Sequence, residues 1–339
     1  GVTATIRDHL SSATFAVQAR VVVNAAGPWV DAVRALVGDR GGKHLRLTKG
    51  VHFVVPYDRL PLRHGVTMNA QDKRPVFALP RDGITYVGTT DTDYATPDDY
   101  PEVTRDDIAY LLEATNRTFA IRPIVPEEIV ATWAGLRPLI HEEGKKPSEV
   151  SRRDETMTDP ATGLLSIAGG KLTAYRKMAE RIVDLVGEKL ARRLPPCRTD
   201  QLPLPGGQCD PAALERTVAA QLRDYPAPAA ARLVRLHGAA CNAILDRMQR
   251  DPAQATAVPG LPAVPRAEVA HVLDCEMALT LTDLLERRLR VLLFDARQGL
   301  DGVEAVAAMA ATRLGWTAEH TRREIDAYRQ LAASARRFR

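Results

Sequence analysis

Residues 164–190, LLSIAGGKLTAYRKMAERIVDLVGEKL, contain the local pattern that indicates the fold class. The stretch begins with a short apolar run, typical of a buried strand, which Gly169 and Gly170 bring to an end. From Lys171 to Leu190 the apolar residues recur at a helical period and share one face of a predicted helix: Met178, Ile182, Leu185 and Val186. A buried strand, a Gly-Gly turn and an amphipathic helix in this order predict an α/β unit.

The first ninety residues contain a second unit of this kind, followed by a segment with a different hydrophobic pattern. Residues 19–27, ARVVVNAAG, indicate another buried strand and tight turn, and Pro28 and Trp29 open a helical pattern. Between residues 51 and 90 strands predominate, and the Asp-Gly step at Asp82 lies between two apolar runs, which is a hairpin signal. We therefore expect an antiparallel sheet that forms a separate layer.

The last third of the chain is predicted to be helical. Residues 194–210, LPPCRTDQLPLPGGQCD, are dense in Pro and Gly and lack periodicity, which indicates a linker. Helix start and stop signals follow at Asp210 with Pro211, at Asp301 with Glu304, and at Gly315. No later segment has a strand pattern. The predicted domains are residues 1–193, a linker over 194–209, and a helical domain over 210–339.

Composition excludes several classes of protein. The chain has 339 residues, 45% of them hydrophobic, which is enough for a sizeable core and argues against disorder. Its 46 basic and 42 acidic residues leave a net charge of +4, too weak to indicate nucleic-acid binding. Residues 1–20 lack the regions of a signal peptide, and no apolar run approaches the roughly 20 residues of a membrane-spanning helix. The cysteines show neither a CxxC pair nor a nearby His cluster, so we predict reduced packing residues and no metal site: Cys197, Cys209, Cys241 and Cys275.

Four segments together resemble a known family: VVNAAGPWVDAV (22–33), YVGTTDTDY (86–94), WAGLRPL (133–139) and SIAGGKLTAYRKMAE (166–180). In this order and spacing they are similar to the flavin-dependent glycerol-3-phosphate dehydrogenases, within the D-amino-acid-oxidase-like group. The segments DCEMALTLTDLLERRLR (274–290) and MAATRLGW (309–316) resemble the helical C-terminal domain of that family.

The resemblance implies a fold of the α/β plus α type. A partial Rossmann-like FAD domain with an antiparallel substrate-binding sheet would be followed by an all-α C-terminal domain. The resemblance also implies FAD as cofactor, oxidation of sn-glycerol 3-phosphate to dihydroxyacetone phosphate, and a membrane quinone as electron acceptor. The GxGxxG turn and ribose-binding acidic residue of the family would lie upstream of Gly1. We therefore expect an N-terminally truncated flavin domain that binds FAD weakly when expressed alone.

Two turns are the predicted cofactor contacts. The N–H groups of a helix N-terminus stabilise the negative charge of a reduced flavin, and glycines allow close backbone approach. By the resemblance, the contacts are Asn24, Gly27, Pro28 and Trp29 in one turn and Gly169, Gly170, Lys171, Leu172 and Thr173 in the other. The alternatives are a tight turn that touches no ligand and, for Trp29, packing in the core.

A phosphorylated substrate requires cations, and the planar guanidinium of Arg pairs well with phosphate oxygens. Arg137 resembles the substrate-binding arginine of the family, Lys171 resembles a further substrate contact, and Arg152 resembles the phosphate-binding arginine. The neighbouring Arg153 makes the assignment of Arg152 ambiguous by one residue. His52 is the candidate general base for the C2 hydroxyl, since the intrinsic pKa of His suits that role. Solvated charges and a structural histidine are the alternatives.

The predicted partners follow from the resemblance and from the C-terminal charge pattern. Six arginines over residues 321–339 outnumber Glu324 and Asp326, which favours an anionic lipid surface or indicates a solvated helix face. We predict a cytoplasmic protein, peripheral on the inner face of the cell membrane, with no nucleic-acid partner and with a homodimer as an open alternative. Competing hypotheses are a glycerol-3-phosphate oxidase, an amino-acid or amine oxidase of the same fold, and a non-catalytic remnant. Arg137, Arg152 and Lys171 supply more positive charge than one carboxylate requires, which favours phosphate.

Overall fold

A computed structural model describes residues 1–38, 44–141 and 154–338, so Arg152 and Arg153 lie outside the described residues. The strands are β1 (Val2–Arg7), β2 (Thr14–Ala19), β3 (Val23–Asn24), β4 (Leu45–Pro56), β5 (Val66–Asn69), β6 (Pro75–Arg81), β7 (Ile84–Gly88), β8 (Thr92–Tyr94), β9 (Ala131–Ile140), β10 (Asp154–Thr158), β11 (Leu165–Gly169), β12 (Ala257–Val258) and β13 (Leu261–Pro265). The α-helices are α1 (Val30–Leu36), α2 (Arg105–Thr118), α3 (Tyr175–Lys189), α4 (Pro211–Gln221), α5 (Pro228–His237), α6 (Cys241–Arg250), α7 (Arg266–Cys275), α8 (Val291–Phe294), α9 (Val303–Leu314) and α10 (Ala318–Ser334).

The chain divides into two compact units, and each unit is assembled from several stretches of sequence. The first unit contains Gly1–Gly50, Asp91–Pro101 and Gly135–Leu202. The second unit contains Val51–Thr90, Glu102–Ala134 and Pro203–Arg339. These units follow packing in space, whereas the division into 1–193, 194–209 and 210–339 follows chain order and stays a prediction.

The first unit contains a three-stranded sheet in the order β10-β11-β3. β11 is parallel to β3 and antiparallel to β10, so α1 and α3 follow two neighbouring parallel strands. The predicted strand, Gly-Gly turn and helix are confirmed. β11 ends at Gly169, a 3-10 turn covers Leu172–Ala174, and α3 continues from there to Lys189.

The second unit contains the predicted antiparallel sheet, in which β5, β6, β7 and the second half of β4 are neighbours. β6 and β7 form the predicted hairpin. Asp82 and Gly83 have φ angles of 50° and 87°, the left-handed pair that a tight two-residue turn requires. α2 packs on this sheet and shares its core, where Phe53 and Leu111 are fully buried.

A capping box starts α2, as the sequence predicts by placing Asp107 three residues after Thr104. The hydroxyl of Thr104 accepts a hydrogen bond from the Asp107 N–H at 3.2 Å, and the Asp107 carboxylate accepts one from the Thr104 N–H at 3.0 Å. Two N–H groups that the first helical turn leaves without backbone partners are satisfied in this way.

From residue 203 onward the second unit is mainly helical, as predicted. α7, α9 and α10 contribute to a core that includes Val269, Val306 and the fully buried Tyr328. The predicted start of one helix and the predicted end of another are confirmed. Asp210 caps α4 by accepting from the Ala212 N–H at 2.9 Å, and Gly315 ends α9 with a φ of 70°.

Two predictions for this region were wrong. β12 and β13 form a small antiparallel sheet, although no strand was predicted there, because two-residue and five-residue strands rich in Pro and Ala show no alternation. Asp301 and Glu304 form no capping box, because a 3-10 turn over Leu300–Gly302 leads into α9 and Gly302 occupies the N-cap. The two carboxylates pair with Arg297 and Arg329 instead.

Two further predictions concern the state of the cysteines and the presence of a membrane-spanning helix. All four cysteines are free, as predicted, but only Cys241 is buried, so packing explains Cys241 alone. Across the described ranges, every helix is too short or too polar to cross a membrane.

Candidate active site

A cavity of about 730 Å³ lies in the first unit, where β11 ends. Its lining is mostly apolar and consists of Ala25, Leu136, Arg137, Pro138, Leu139, Ile167, Gly169, Gly170, Lys171, Leu172, Thr173, Tyr175, Met178, Ala179 and Ile182. The second predicted cofactor turn therefore lines the cavity along its whole length, and Arg137 and Lys171 contribute two cations to the lining.

The Gly-Gly turn at this cavity disfavours a side chain at its second position. Gly169 and Gly170 have φ angles of 76° and 81°, which L side chains rarely adopt. A Cβ atom on Gly170 would also lie 2.7 Å from the sulfur of Met178. Neither the following 3-10 turn nor α3 has a side-chain cap, so the first N–H groups of this helical segment are left to a ligand or to water.

The first predicted cofactor turn is held in place by Asn24. The buried Asn24 amide donates to the Val30 carbonyl at 3.0 Å and to the Ser166 hydroxyl at 3.3 Å, which ties β3 to α1 and β11. Among the described residues of this turn, Ala25 lines the cavity, whereas Asn24, Gly27, Pro28 and Trp29 do not. Trp29 is 36% exposed, so packing in the core does not account for it. A cofactor contact for these four residues stays a prediction.

Arg137 lies on β9 and forms an ion pair with Asp91. The Arg137 Nη1 atom is 3.3 Å from the Asp91 Oδ1 atom, and the side chains are 27% and 14% exposed. A partly buried carboxylate beside a guanidinium restricts the direction in which the guanidinium points. Sequence reasoning missed Asp91, although it lies in the quoted segment YVGTTDTDY, because nothing local to that segment identifies its partner.

His52 belongs to the second unit, where aromatic rings hold it. Its ring stacks on Trp133 with centroids 5.0 Å apart and planes 15° apart. Gly88 lies opposite on β7, and a Cβ atom there would lie 2.1 Å from the His52 ring, so only glycine leaves room for it. The ring is thus fixed in orientation, and its role as general base stays a prediction.

Comparisons with known proteins place the chain in a class of enzymes. The family described as "FAD dependent oxidoreductase" matches residues 1–176, and the family described as "C-terminal domain of alpha-glycerophosphate oxidase" matches residues 197–321. The first match covers more than half of the chain, and the chain therefore belongs to the FAD-dependent oxidoreductase family. This confirms the resemblance, the α/β plus α fold class, and FAD as the cofactor of the family.

Its relatives are more specific. The chain is 39% identical to the aerobic glycerol-3-phosphate dehydrogenase of Bacillus subtilis strain 168, a match that covers 92% of the chain and 58% of that protein. It is 37% identical to the protein of that name from Staphylococcus aureus strain USA300, over 97% of the chain and 59% of that protein. The crystal structure of the glycerol-3-phosphate dehydrogenase from Bacillus halodurans, complexed with FAD, is similar with a TM-score of 0.85 and 35% identity, over 99% of the chain and 66% of that protein. The chain thus spans about three fifths of the length of the curated relatives it matches.

Proposed function

We propose that this chain acts in the FAD-dependent oxidation of sn-glycerol 3-phosphate to dihydroxyacetone phosphate. The observation that carries the proposal is the cavity of the first unit, where Arg137 and Lys171 share one lining with the Gly-Gly turn. An anionic substrate requires cations, whereas a planar cofactor requires apolar surface. This lining offers both, because its cations lie beside apolar walls. The relatives named as glycerol-3-phosphate dehydrogenases support this choice of substrate.

The residues present fit a flavin. Apolar walls suit its ring system, Gly169 and Gly170 allow the backbone to approach it, and the uncapped start of the following helix offers N–H groups to its polar edge. When bound, FAD accepts the hydride that leaves the substrate.

Each of the proposed site residues would have its own role. Arg137 and Lys171 bind anionic groups and hold the C2 atom of the substrate in place, while Asp91 fixes the direction of Arg137. As a hydride leaves C2, the C2 hydroxyl gives up its proton, and His52 is the proposed acceptor of that proton. Arg152, or Arg153 in its place, would bind the phosphate.

The proposed electron acceptor is a membrane quinone, reached from the inner face of the cell membrane by a peripheral protein that is able to form a dimer. Part of the basic surface at α10 is used internally, because Arg329 pairs with Glu304 and Arg336 donates to the Val130 carbonyl at 2.7 Å. The match to a domain named after an oxidase favours oxygen as the second candidate acceptor. Hydrogen peroxide formed in step with product would identify oxygen and reject the quinone.

Steady-state kinetics of the flavin-loaded enzyme with a dye acceptor test the substrate. Arg137→Ala should lower kcat for both glycerol 3-phosphate and glycerol, because Arg137 orients C2 in either substrate. Arg152→Ala should lower kcat/KM for glycerol 3-phosphate roughly 10- to 150-fold, corresponding to about 1.5–3 kcal/mol for a hydrogen bond to a charged group. Turnover of glycerol, which has no phosphate, should stay the same.

Two variants control this test. If Arg153→Ala shows the phosphate-selective loss and Arg152→Ala does not, the phosphate contact belongs to Arg153. Arg176→Ala, on an α3 side chain that is 38% exposed, should change neither parameter. Wild-type kinetics in Arg137→Ala would refute the assignment of this cavity as the substrate site.

A further inference from the structure

A second cluster of titratable side chains lies in the second unit, where α5 and α7 end. His237 is the last residue of α5, His271 lies in the last turns of α7, and Glu276 follows α7 directly. One ligand atom from each of these three residues lies within 4.8 Å of the others. His237 and His271 are buried, and Glu276 is half-buried.

We propose that His237, His271 and Glu276 bind one zinc ion, which ties the end of α5 to the end of α7. The separations suit such an ion. Bonds of 2.0–2.2 Å to a tetrahedral zinc place its ligand atoms about 3.3–3.5 Å apart. The Nδ1 atom of His237 is 3.1 Å, and the Nε2 atom of His271 is 3.9 Å, from the Oε1 atom of Glu276. Small movements of side chains would complete three corners of the tetrahedron, and water would fill the fourth.

Outer contacts of the cluster resemble those that orient metal ligands. The Nε2 atom of His237 is 3.0 Å from the carboxylate of Glu268, which is fully buried and accepts two hydrogen bonds from Arg232 at 2.8 and 3.0 Å. A carboxylate on the second nitrogen of a ligating histidine fixes its tautomer and leaves the lone pair of the other nitrogen for the metal. Here that lone pair is on Nδ1, beside Glu276.

His271 is held near Glu276 by burial and not by a hydrogen bond. The residue is 7% exposed, and its Nε2 atom lies 3.9 Å from the Oε1 atom of Glu276, which is beyond hydrogen-bond distance. Its Nδ1 atom, on the other side of the ring, has no hydrogen-bond partner among the described residues. A metal ion on Nε2 would give this buried ring a polar partner on the side that faces Glu276.

The charge of the ion has to be balanced within the second unit. Arg232 already pairs with Glu268, and Arg288 already pairs with Glu276. The added positive charge of the ion therefore relies on the negative C-terminal ends of the α5 and α7 helix dipoles.

The experiment titrates zinc chloride into the chelator-treated protein against a chromophoric chelator at neutral pH. The wild type should bind one equivalent and should melt at a higher temperature when zinc is present. His271→Phe keeps the ring volume and Glu276→Gln keeps the side-chain length, and each should weaken binding at least tenfold and abolish the rise in melting temperature.

A matched control is present in the same unit. His320 and Glu324, with side chains 39% and 19% exposed, have the same 3.9 Å separation. Among the described residues they belong to no cluster of three possible ligands, so His320→Ala should bind zinc as the wild type does. Circular dichroism of each variant shows whether it is folded. The proposal is overturned if the folded wild type binds no stoichiometric zinc, or if His271→Phe and Glu276→Gln both bind it with wild-type affinity.

Discussion

Gly170 is a residue at which one added methyl group should disturb the turn that lines the cavity. Gly170→Ala combines a φ of 81° with a 2.7 Å approach to Met178, so it should lower the free energy of unfolding by about 1–3 kcal/mol and weaken FAD binding. Gly315→Ala is the control, because its φ is 70° and its surroundings are open. It should cost about 1 kcal/mol and leave FAD binding unchanged. Urea unfolding and flavin fluorescence measure the two effects, and equal loss of FAD binding in both variants would contradict the prediction.

Glu128 should make stability depend on acid pH. Hydrogen bonds from Arg59, at 2.6 Å, and from the Val125 N–H and Arg122 outweigh burial and lower the pKa of Glu128 to about 2. Because the folded pKa lies below the ordinary 4.5, the stabilisation is present above pH 4.5 and is lost as the pH falls towards 2. Glu128→Gln should flatten this part of the stability profile. The exposed neighbour Glu127 provides the control Glu127→Gln, and an identical flattening there would rule out the specific role of Glu128.

Single residues also show where prediction from sequence stops. The glycines of the 169–170 turn were predictable because their conformational demand is local. Asp91 was missed as the partner of Arg137, and so was the approach of His237 to His271, because these contacts join segments that are distant in sequence. Nothing in the spacing of the histidines resembles a metal motif.

At the scale of one element, α2 depends on its capping box. Thr104→Ala removes the hydroxyl that accepts from the Asp107 N–H, and it should lower the free energy of unfolding by about 0.5–2 kcal/mol. Thr312→Ala is the matched control, because the exposed Thr312 hydroxyl donates to the Ala308 carbonyl within α9 and caps nothing. It should change stability little. Denaturant unfolding of both variants is the measurement, and equal effects would show that the cap of α2 contributes nothing specific.

Elements with strong local signals were the predictable ones. The Asp-Gly step specified the β6–β7 hairpin, and the caps at Thr104, Asp210 and Gly315 were confirmed. β12 and β13 were not predicted, because strands this short are stabilised by pairing and have no hydrophobic alternation of their own. The cap expected at Asp301 was wrong because a 3-10 turn leads into α9 and places Gly302 at the N-cap, and the Asp301 carboxylate accepts from Arg297 instead.

At the scale of the whole molecule, the last residues of the chain help to hold the second unit together. Phe338 is 5% exposed and packs in the core beneath the antiparallel sheet, and the Ala335 carbonyl accepts from the Thr132 N–H and hydroxyl. Phe338→Ala should lower the free energy of unfolding by about 3–5 kcal/mol, the range for truncation of a buried Phe to Ala. Phe77→Ala, on a side chain that is 43% exposed, is the control and should cost much less. Calorimetry compares the two, and similar losses would contradict the packing role.

The composition of the two units was the least predictable property of the molecule. Residues 51–90 and 102–134 join the helical last third in one compact unit, whereas periodicity and linker composition only divide the chain in order. Packing between segments of very different sequence position is decided by tertiary contacts, which leave no local pattern.

The burial of Glu268 has a consequence for how this sequence is able to change over evolutionary time. Its carboxylate is fully buried and bound by Arg232 and His237, so replacing any one of the three leaves a buried charge or polar group without its partner. Such a loss costs about 3–5 kcal/mol, a large part of the stability of an ordinary domain, and most lineages that carry it would be eliminated. Replacing the charged pair with apolar residues of similar volume is often neutral. Neutral drift at positions 232, 237 and 268 should therefore proceed by paired substitutions, and an alignment of relatives should show these positions covarying.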